Sequence, residues 1–209
     1  MDIRQMTLRQ SIRPDVQLHQ HDWFKIIYGI ADRLVYAHSL AQVHGDLKPS
    51  NGKRRILDKS LSTVLVDLDQ NRQFQHTGIY VTDFGIRYLS RTGTVDGHIT
   101  SGTFSYLAPE LRNGTGTASW ASDMWAVGCI GYELCLGSQL SHGFNRGPID
   151  NLVRGGYLDL SAIDQRFGGE LRYIIGQCLQ HDPNSRCTAV QLREYIRTLF
   201  RNWGIPVFG

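Results

Sequence analysis

The sequence predicts a single domain of mainly α (α+β) class over residues 1–209, carrying one small β hairpin. Three observations lead there. Apolar residues recur at helical spacing between His19 and Leu40, the stretch "SDMWAVGCIGYELCLG" (122–137) is apolar almost all round, and only two short runs have β character. The sequence shows no internal repeat and no second domain boundary.

With 41% hydrophobic and 20% charged residues, 209 residues suffice for one well-buried core. The net charge of +3 is mild, and the one dense basic cluster, Lys53-Arg54-Arg55, is short enough to be a solvated loop face. No nucleic-acid partner is expected. Cys129, Cys135, Cys178 and Cys187 form no C-x-x-C pair and sit in apolar stretches, so they read as buried thiols of a reducing compartment. No apolar run approaches the ~20 residues of a membrane span, and "MDIRQMTLRQ" lacks a signal-peptide core. A soluble cytoplasmic or nuclear protein without a membrane partner is the expectation.

Taken in order, Phe24, Ile27, Ala31, Leu34 and Val35 mark a helix over 19–40 that delivers the chain to "VHGDLKPSN". The runs "TVLVDLD" (63–69) and "GIYVTDFG" (78–85), separated by the polar "QNRQFQHT", read as a hairpin over 63–85. Residues 86–117 are rich in Gly, Thr and Ser and form a long loop, a class that tends to carry function. A helical region over 119–203 follows. Its central buried helix has Ser122 as N-cap and Gly137 just past its end, and "GELRYIIGQCLQ" (169–180) is a second helix. After the breaker "HDPNSR", Thr188 and Gln191 open a last helix at capping-box spacing.

Five separated stretches carry a resemblance. "HGDLKPSN" (44–51), "DFG" (83–85), "GTFSYLAPE" (102–110), "SDMWAVGCIGYEL" and "HDPNSRCTAVQL" follow one another in the order and spacing of a protein kinase catalytic domain. The chain therefore resembles the eukaryotic-type protein kinase superfamily, and "DLKPSN" with Thr103 resembles its serine/threonine branch. The resemblance implies a kinase-like C-terminal lobe, helical with a small hairpin carrying the catalytic loop (44–51) and the DFG loop, and an activation segment over 83–110. It also implies ATP and Mg²⁺ as cofactors and a protein substrate.

Phosphoryl transfer requires positioning and charge neutralisation, because its transition state is loose and anionic. On the resemblance, Asp46 accepts or orients the substrate hydroxyl proton and Lys48 sets a cation against the transferring phosphate. Asn51 and Asp83 are hard oxygen ligands that suit Mg²⁺. Thr103 braces Asp46 and Lys48, Glu110 and Arg186 form a buried ion pair anchoring the substrate-side loop, and Asp123 holds the catalytic-loop backbone. Other features read blandly. "GTGTAS" (114–119) is a connecting loop, since no strand precedes it. His19, His21, His38 and His76 share no ligand spacing and belong on surfaces or helix faces, and Thr92, Thr94, Thr100 and Ser101 are solvated loop residues of the activation segment.

The chain departs from the family pattern in three places. Gly45 stands where many kinases carry an arginine that pairs with a phosphorylated loop, so loop phosphorylation is not expected to be the main on-switch. Twelve residues, 52–63, separate Asn51 from the strand that elsewhere follows directly. Displacing a metal ligand by about 1 Å can cost about 10²-fold in rate. The segment is either an evolved loop or, since Gly52-Lys53 can be encoded by a splice-donor sequence, translated intron. Only 43 residues precede His44, with no glycine-rich loop and no V-A-I-K-like strand, so the expectation is a C-terminal lobe alone with weak or no activity by itself.

Such a lobe should expose an apolar face where a partner protein could dock. A kinase-derived interaction module without catalysis is the second reading. A small-molecule kinase of the aminoglycoside or choline type also uses "HGD", but "GTFSYLAPE" and "DMWAVGCIGYEL" resemble the peptide-substrate platform of protein kinases.

Overall fold

Residues 6–8, 20–49, 64–68, 74–82, 104–137, 140 and 147–206 are described in a computed structural model. In chain order these give strand β1 (Met6–Thr7), helix α1 (Gln20–Ser39), β2 (Val64–Leu68), β3 (Phe74–Val81), α2 (Pro109–Arg112), α3 (Trp120–Leu136), α4 (Pro148–Val153), α5 (Ser161–Phe167) and α6 (Gly169–Cys178). A 3₁₀ turn (Pro183–Ser185) and α7 (Ala189–Asn202) follow. The described chain is mostly helical, with one three-stranded antiparallel sheet ordered β1-β2-β3.

Helix α3 is the axis of the core, buried from Ser122 through Cys135 because its sequence offers no polar stripe to water. Helix α1 packs across it with Trp23, Phe24, Ile27 and Leu34 fully buried. The Trp23 indole donates to Gly131 O at 2.9 Å. A Cβ at Gly131 would lie 2.9 Å from the Trp23 ring, so glycine is what lets α1 and α3 approach this closely. Helix α6 covers α3 with Leu171 and Ile175, and the amphipathic α7 lays Ile196 and Phe200 on α1.

The helix ends follow local chemistry. Thr188 and Gln191 make the reciprocal capping box of α7, each side chain accepting from the other's backbone N–H. At α3 the cap is Ser119, not Ser122. Ser119 Oγ accepts from Ser122 N while Ser122 Oγ accepts from Ser119 N, so Ser122 is the third helical residue of its own capping box. Two serines three apart both suit a cap, and Trp120 and Ala121 join the helix once Ser119 takes that role. Gly137 is the C-cap. Helix α1 closes with Gln42 N donating to Ala37 O and Ala41 at φ 56°, a left-handed residue with no glycine to fill it.

The strands differ from their sequence pattern in two respects. Strand β3 begins at Phe74, although composition assigns residues 74–77 to the turn; cross-strand pairing of Leu68 with Phe74 outweighs their polarity. Strand β1, two residues long, pairs with β2 through Met6↔Val66 and Thr7↔Leu65 and has no periodic signal of its own. Of the four cysteines, Cys187 is half-buried rather than buried, because it follows the exposed turn at Pro183–Ser185. No described helix is long and apolar enough to cross a membrane.

Candidate functional site

The end of α1 hands the chain to the segment 43–48, and its geometry is set from below by α3. Asp123, 1% exposed in the first turn of α3, accepts the backbone N–H of His44 at 2.8 Å and of Gly45 at 2.8 Å, one on each carboxylate oxygen. His38 Nε2 donates a third bond to Asp123 at 3.0 Å, and the His38 ring stacks on Trp120. A buried carboxylate is tolerable only with such donors, and here they define where the loop backbone runs. Gly45 sits at φ 78°, a left-handed conformation that glycine adopts without strain.

His44 is fully buried and uses both ring nitrogens. Nε2 donates to Thr82 O at 2.8 Å, and Nδ1 accepts the Asp46 backbone N–H at 3.1 Å. A carbonyl oxygen can only accept and an amide N–H can only donate, so the ring is neutral with its proton on Nε2. The imidazole thereby ties the end of β3 to the backbone of Asp46. From this fixed backbone Asp46 projects its carboxylate to Lys48, whose Nζ donates to Oδ2 at 2.7 Å with only 5% of the Lys48 side chain exposed. A small cleft between the loop and the 106–111 segment is lined by Gly45, Asp46, Leu47, Tyr106, Leu107 and Asp123.

On the far side of that cleft, Arg186 anchors α2. Its guanidinium makes five hydrogen bonds: two parallel ones of 2.8 Å to the Glu110 carboxylate, and one each to the carbonyls of Gln180, Ala121 and His181. The Arg186 side chain is fully buried and lies over the Trp125 ring. Five donors in a rigid fork meet five acceptors, the arrangement in which a buried arginine is fully satisfied.

Asp46, Lys48, Glu110, Asp123 and Arg186 therefore converge on one region, two on the loop and three beneath or beside it. Asn51, Asp83 and Thr103 lie outside the described residues, as do residues 52–63 and Thr92, Thr94, Thr100 and Ser101. Among the described residues no cluster of three metal-ligating side chains occurs. Asn51 and Asp83, the residues expected to hold Mg²⁺, are among those outside the described set.

A family model for the protein kinase domain matches residues 1–196. The chain belongs to the protein kinase family. It is 30% identical over 175 residues to the serine/threonine-protein kinase Rad53 of Saccharomyces cerevisiae, a match covering 78% of this chain and 19% of Rad53. It is 32% identical over 198 residues to the lectin-domain containing receptor kinase VI.4 of Arabidopsis thaliana, covering 88% of this chain and 25% of that protein. A match to the CBL-interacting serine/threonine-protein kinase 10 of the same plant is 28% identical and covers 82% of this chain and 32% of the relative. The crystal structure of Rad53 1–466 in complex with AMP-PNP superposes with a TM-score of 0.65 at 26% identity, over 94% of this chain and 45% of that one. The chain thus spans about a fifth to a third of the length of these curated relatives.

Three contributions to this site have no counterpart in the sequence pattern. His38, read as a helix-face residue, bonds Asp123 from 85 positions away, and nothing local signals that meeting. The Tyr106 hydroxyl donates to the fully buried Glu133 carboxylate on α3. Its signal was present, since Glu133 is the one acidic residue within the apolar run "AVGCIGYELCL" and a buried carboxylate requires a partner. Arg112 bonds Asp150 at 2.6 Å and the carbonyls of Ser105 and Leu107, fastening the 104–107 segment.

Proposed function

We propose that residues 1–209 form a kinase C-terminal-lobe unit that transfers the γ-phosphoryl group of ATP to serine or threonine hydroxyls of a protein substrate. The observation that carries this reading is the Lys48–Asp46 pair, 2.7 Å apart on a loop whose backbone is held by Asp123 and His44. Asp46 receives or orients the proton of the attacking hydroxyl, and its carboxylate is kept in place by the Lys48 ammonium, which also faces the transferring phosphate. Asn51 and Asp83 supply hard oxygen ligands for Mg²⁺, whose charge, when bound, offsets that of the phosphates. Thr103 braces Asp46 and Lys48. Glu110 and Arg186 hold the peptide-facing segment, and Tyr106 and Glu133 stiffen it. The thiols suit a cytoplasmic or nuclear protein.

The test is Mg·ATP-dependent phosphate incorporation into serine and threonine peptides by three proteins: the chain, the chain lacking 52–63, and Asp46→Asn. We expect weak transfer by the first, stronger transfer by the second if the insert displaces Asn51, and a loss of about 10²–10⁴-fold in the third. Absence of both turnover and nucleotide binding in the first two would instead favour an interaction module without catalysis.

A further inference from the structure

Cys178 is the last residue of α6, and Cys187 follows Arg186 after the chain has turned through Pro183–Ser185. The turn brings the two sulfurs to 3.6 Å, and Cys187 N donates to Gln177 O at 3.2 Å, so the backbone already holds the two ends together. Cys178 is fully buried and Cys187 half-buried, which gives the pair an inner and an outer member. We propose that Cys178 and Cys187 are a redox modification site, a dithiol that a peroxide converts to an intrachain disulfide across the turn carrying Arg186.

Closing the bond from 3.6 Å to the covalent S–S length requires an approach of about 1.5 Å, a shift that side-chain rotation at the half-buried Cys187 can supply. The Cys187 thiolate attacks one oxygen of hydrogen peroxide, the O–O bond breaks, and hydroxide leaves; Cys187 is now a sulfenic acid. The Cys178 sulfur then attacks the Cys187 sulfur, the S–O bond breaks, and the Cys178 proton leaves with the departing hydroxide as water. Two thiols and one peroxide give one disulfide and two waters. The order of events follows from the pair itself. Cys187 is the half-buried member and so meets peroxide first, and the hydrogen bond between the sulfurs lowers the Cys187 pKa against the opposing effect of its burial while it raises that of Cys178, whose burial raises it further.

The consequence is local and specific. The closed ring, residues 178–187, contains Gln180 and His181, whose carbonyls accept from Arg186, as well as Arg186 itself. Oxidation therefore clamps the turn that holds Arg186 against Glu110. The disulfide forms whether or not the chain transfers phosphate.

Trypsin separates the pair, since Arg172, Arg186 and Arg193 place Cys178 and Cys187 on the peptides 173–186 and 187–193. After brief treatment of the native chain with hydrogen peroxide, thiol blocking and digestion, we expect these two peptides joined, lighter by two hydrogens than their sum, and released by dithiothreitol. In Cys178→Ser, Cys187 should stop as a sulfenic acid that dimedone captures, and the melting temperature of the native chain should rise on oxidation by about 5 °C, unlike that of either serine variant. Peptides that remain separate under conditions that oxidise Cys187, or Cys187 joined to another cysteine, would overturn the proposal. A fall in melting temperature on closure would overturn the clamp.

Discussion

Arg186 grips Glu110 through two parallel hydrogen bonds across 76 positions of sequence, with the guanidinium wholly out of water. This pair joins the turn after α6 to α2, and through α2 to the segment that faces the loop carrying Asp46. Its strength is conditional, because the same burial that excludes water would strand either partner if the other were removed.

Arg186→Met should accordingly lower unfolding stability by about 3–5 kcal/mol, since Glu110 and three carbonyls lose their donor together. Urea denaturation followed by tryptophan fluorescence measures this. Glu110→Gln leaves the buried guanidinium without a countercharge and turns an amide NH₂ toward one of its N–H groups, so it should cost a similar amount.

Asp123→Asn should disrupt the loop more than the core. One amide oxygen cannot replace two carboxylate oxygens, and the amide NH₂ would face the N–H of His44 or Gly45. We expect a loss of about 1.5–3 kcal/mol, the range for hydrogen bonds to a charged group, together with a fall in phosphotransfer relative to the same chain carrying Asp123. Paired urea titrations and peptide assays separate the two effects.

Two left-handed positions make opposite predictions. Ala41, at φ 56°, carries a Cβ where glycine is favoured, so Ala41→Gly should stabilise the chain by up to about 1 kcal/mol. Gly45, at φ 78°, should resist the arginine that many kinases carry there, and Gly45→Arg should cost about 1–2 kcal/mol. A melting curve on each variant decides both.

Thiol reactivity should split the cysteines by environment. Burial pushes the Cys129 thiol up to about 12, leaving a thiolate fraction of about 10⁻⁴ at pH 8. Iodoacetamide at pH 8 should label Cys187 in the native chain and spare Cys129. A raised thiol pKa contributes stability that is complete below the unfolded value near 9 and is lost as pH rises toward 12, so Cys129→Ala should flatten alkaline unfolding over that interval.

What the sequence made legible was whatever its spacing encodes. Asp46 and Lys48 are two residues apart, and Thr188 and Gln191 three apart, so a reader of local pattern finds them. The buried α3 was legible because an all-round apolar run has one physical solution. Its cap lies three residues earlier than the pattern places it because Ser119 and Ser122 have the same chemistry, and only the backbone decides which is outside the helix. His38 with Asp123, Arg112 with Asp150 and Cys178 with Cys187 depend on how the chain returns on itself, which no local window contains. Strand β1 was invisible for a related reason, since two residues have no period.

The bonds from Asp123 to His44 and Gly45 bear on the order in which the protein comes apart. Loops ordinarily open first, with their amides exchanging freely against solvent. Here two loop amides are moored to a carboxylate rooted in the innermost helix, so they can be freed only when that helix gives way. In hydrogen-exchange terms the amides of His44 and Gly45 belong with those of α3, and the segment 43–48 should be among the last parts of the chain to open.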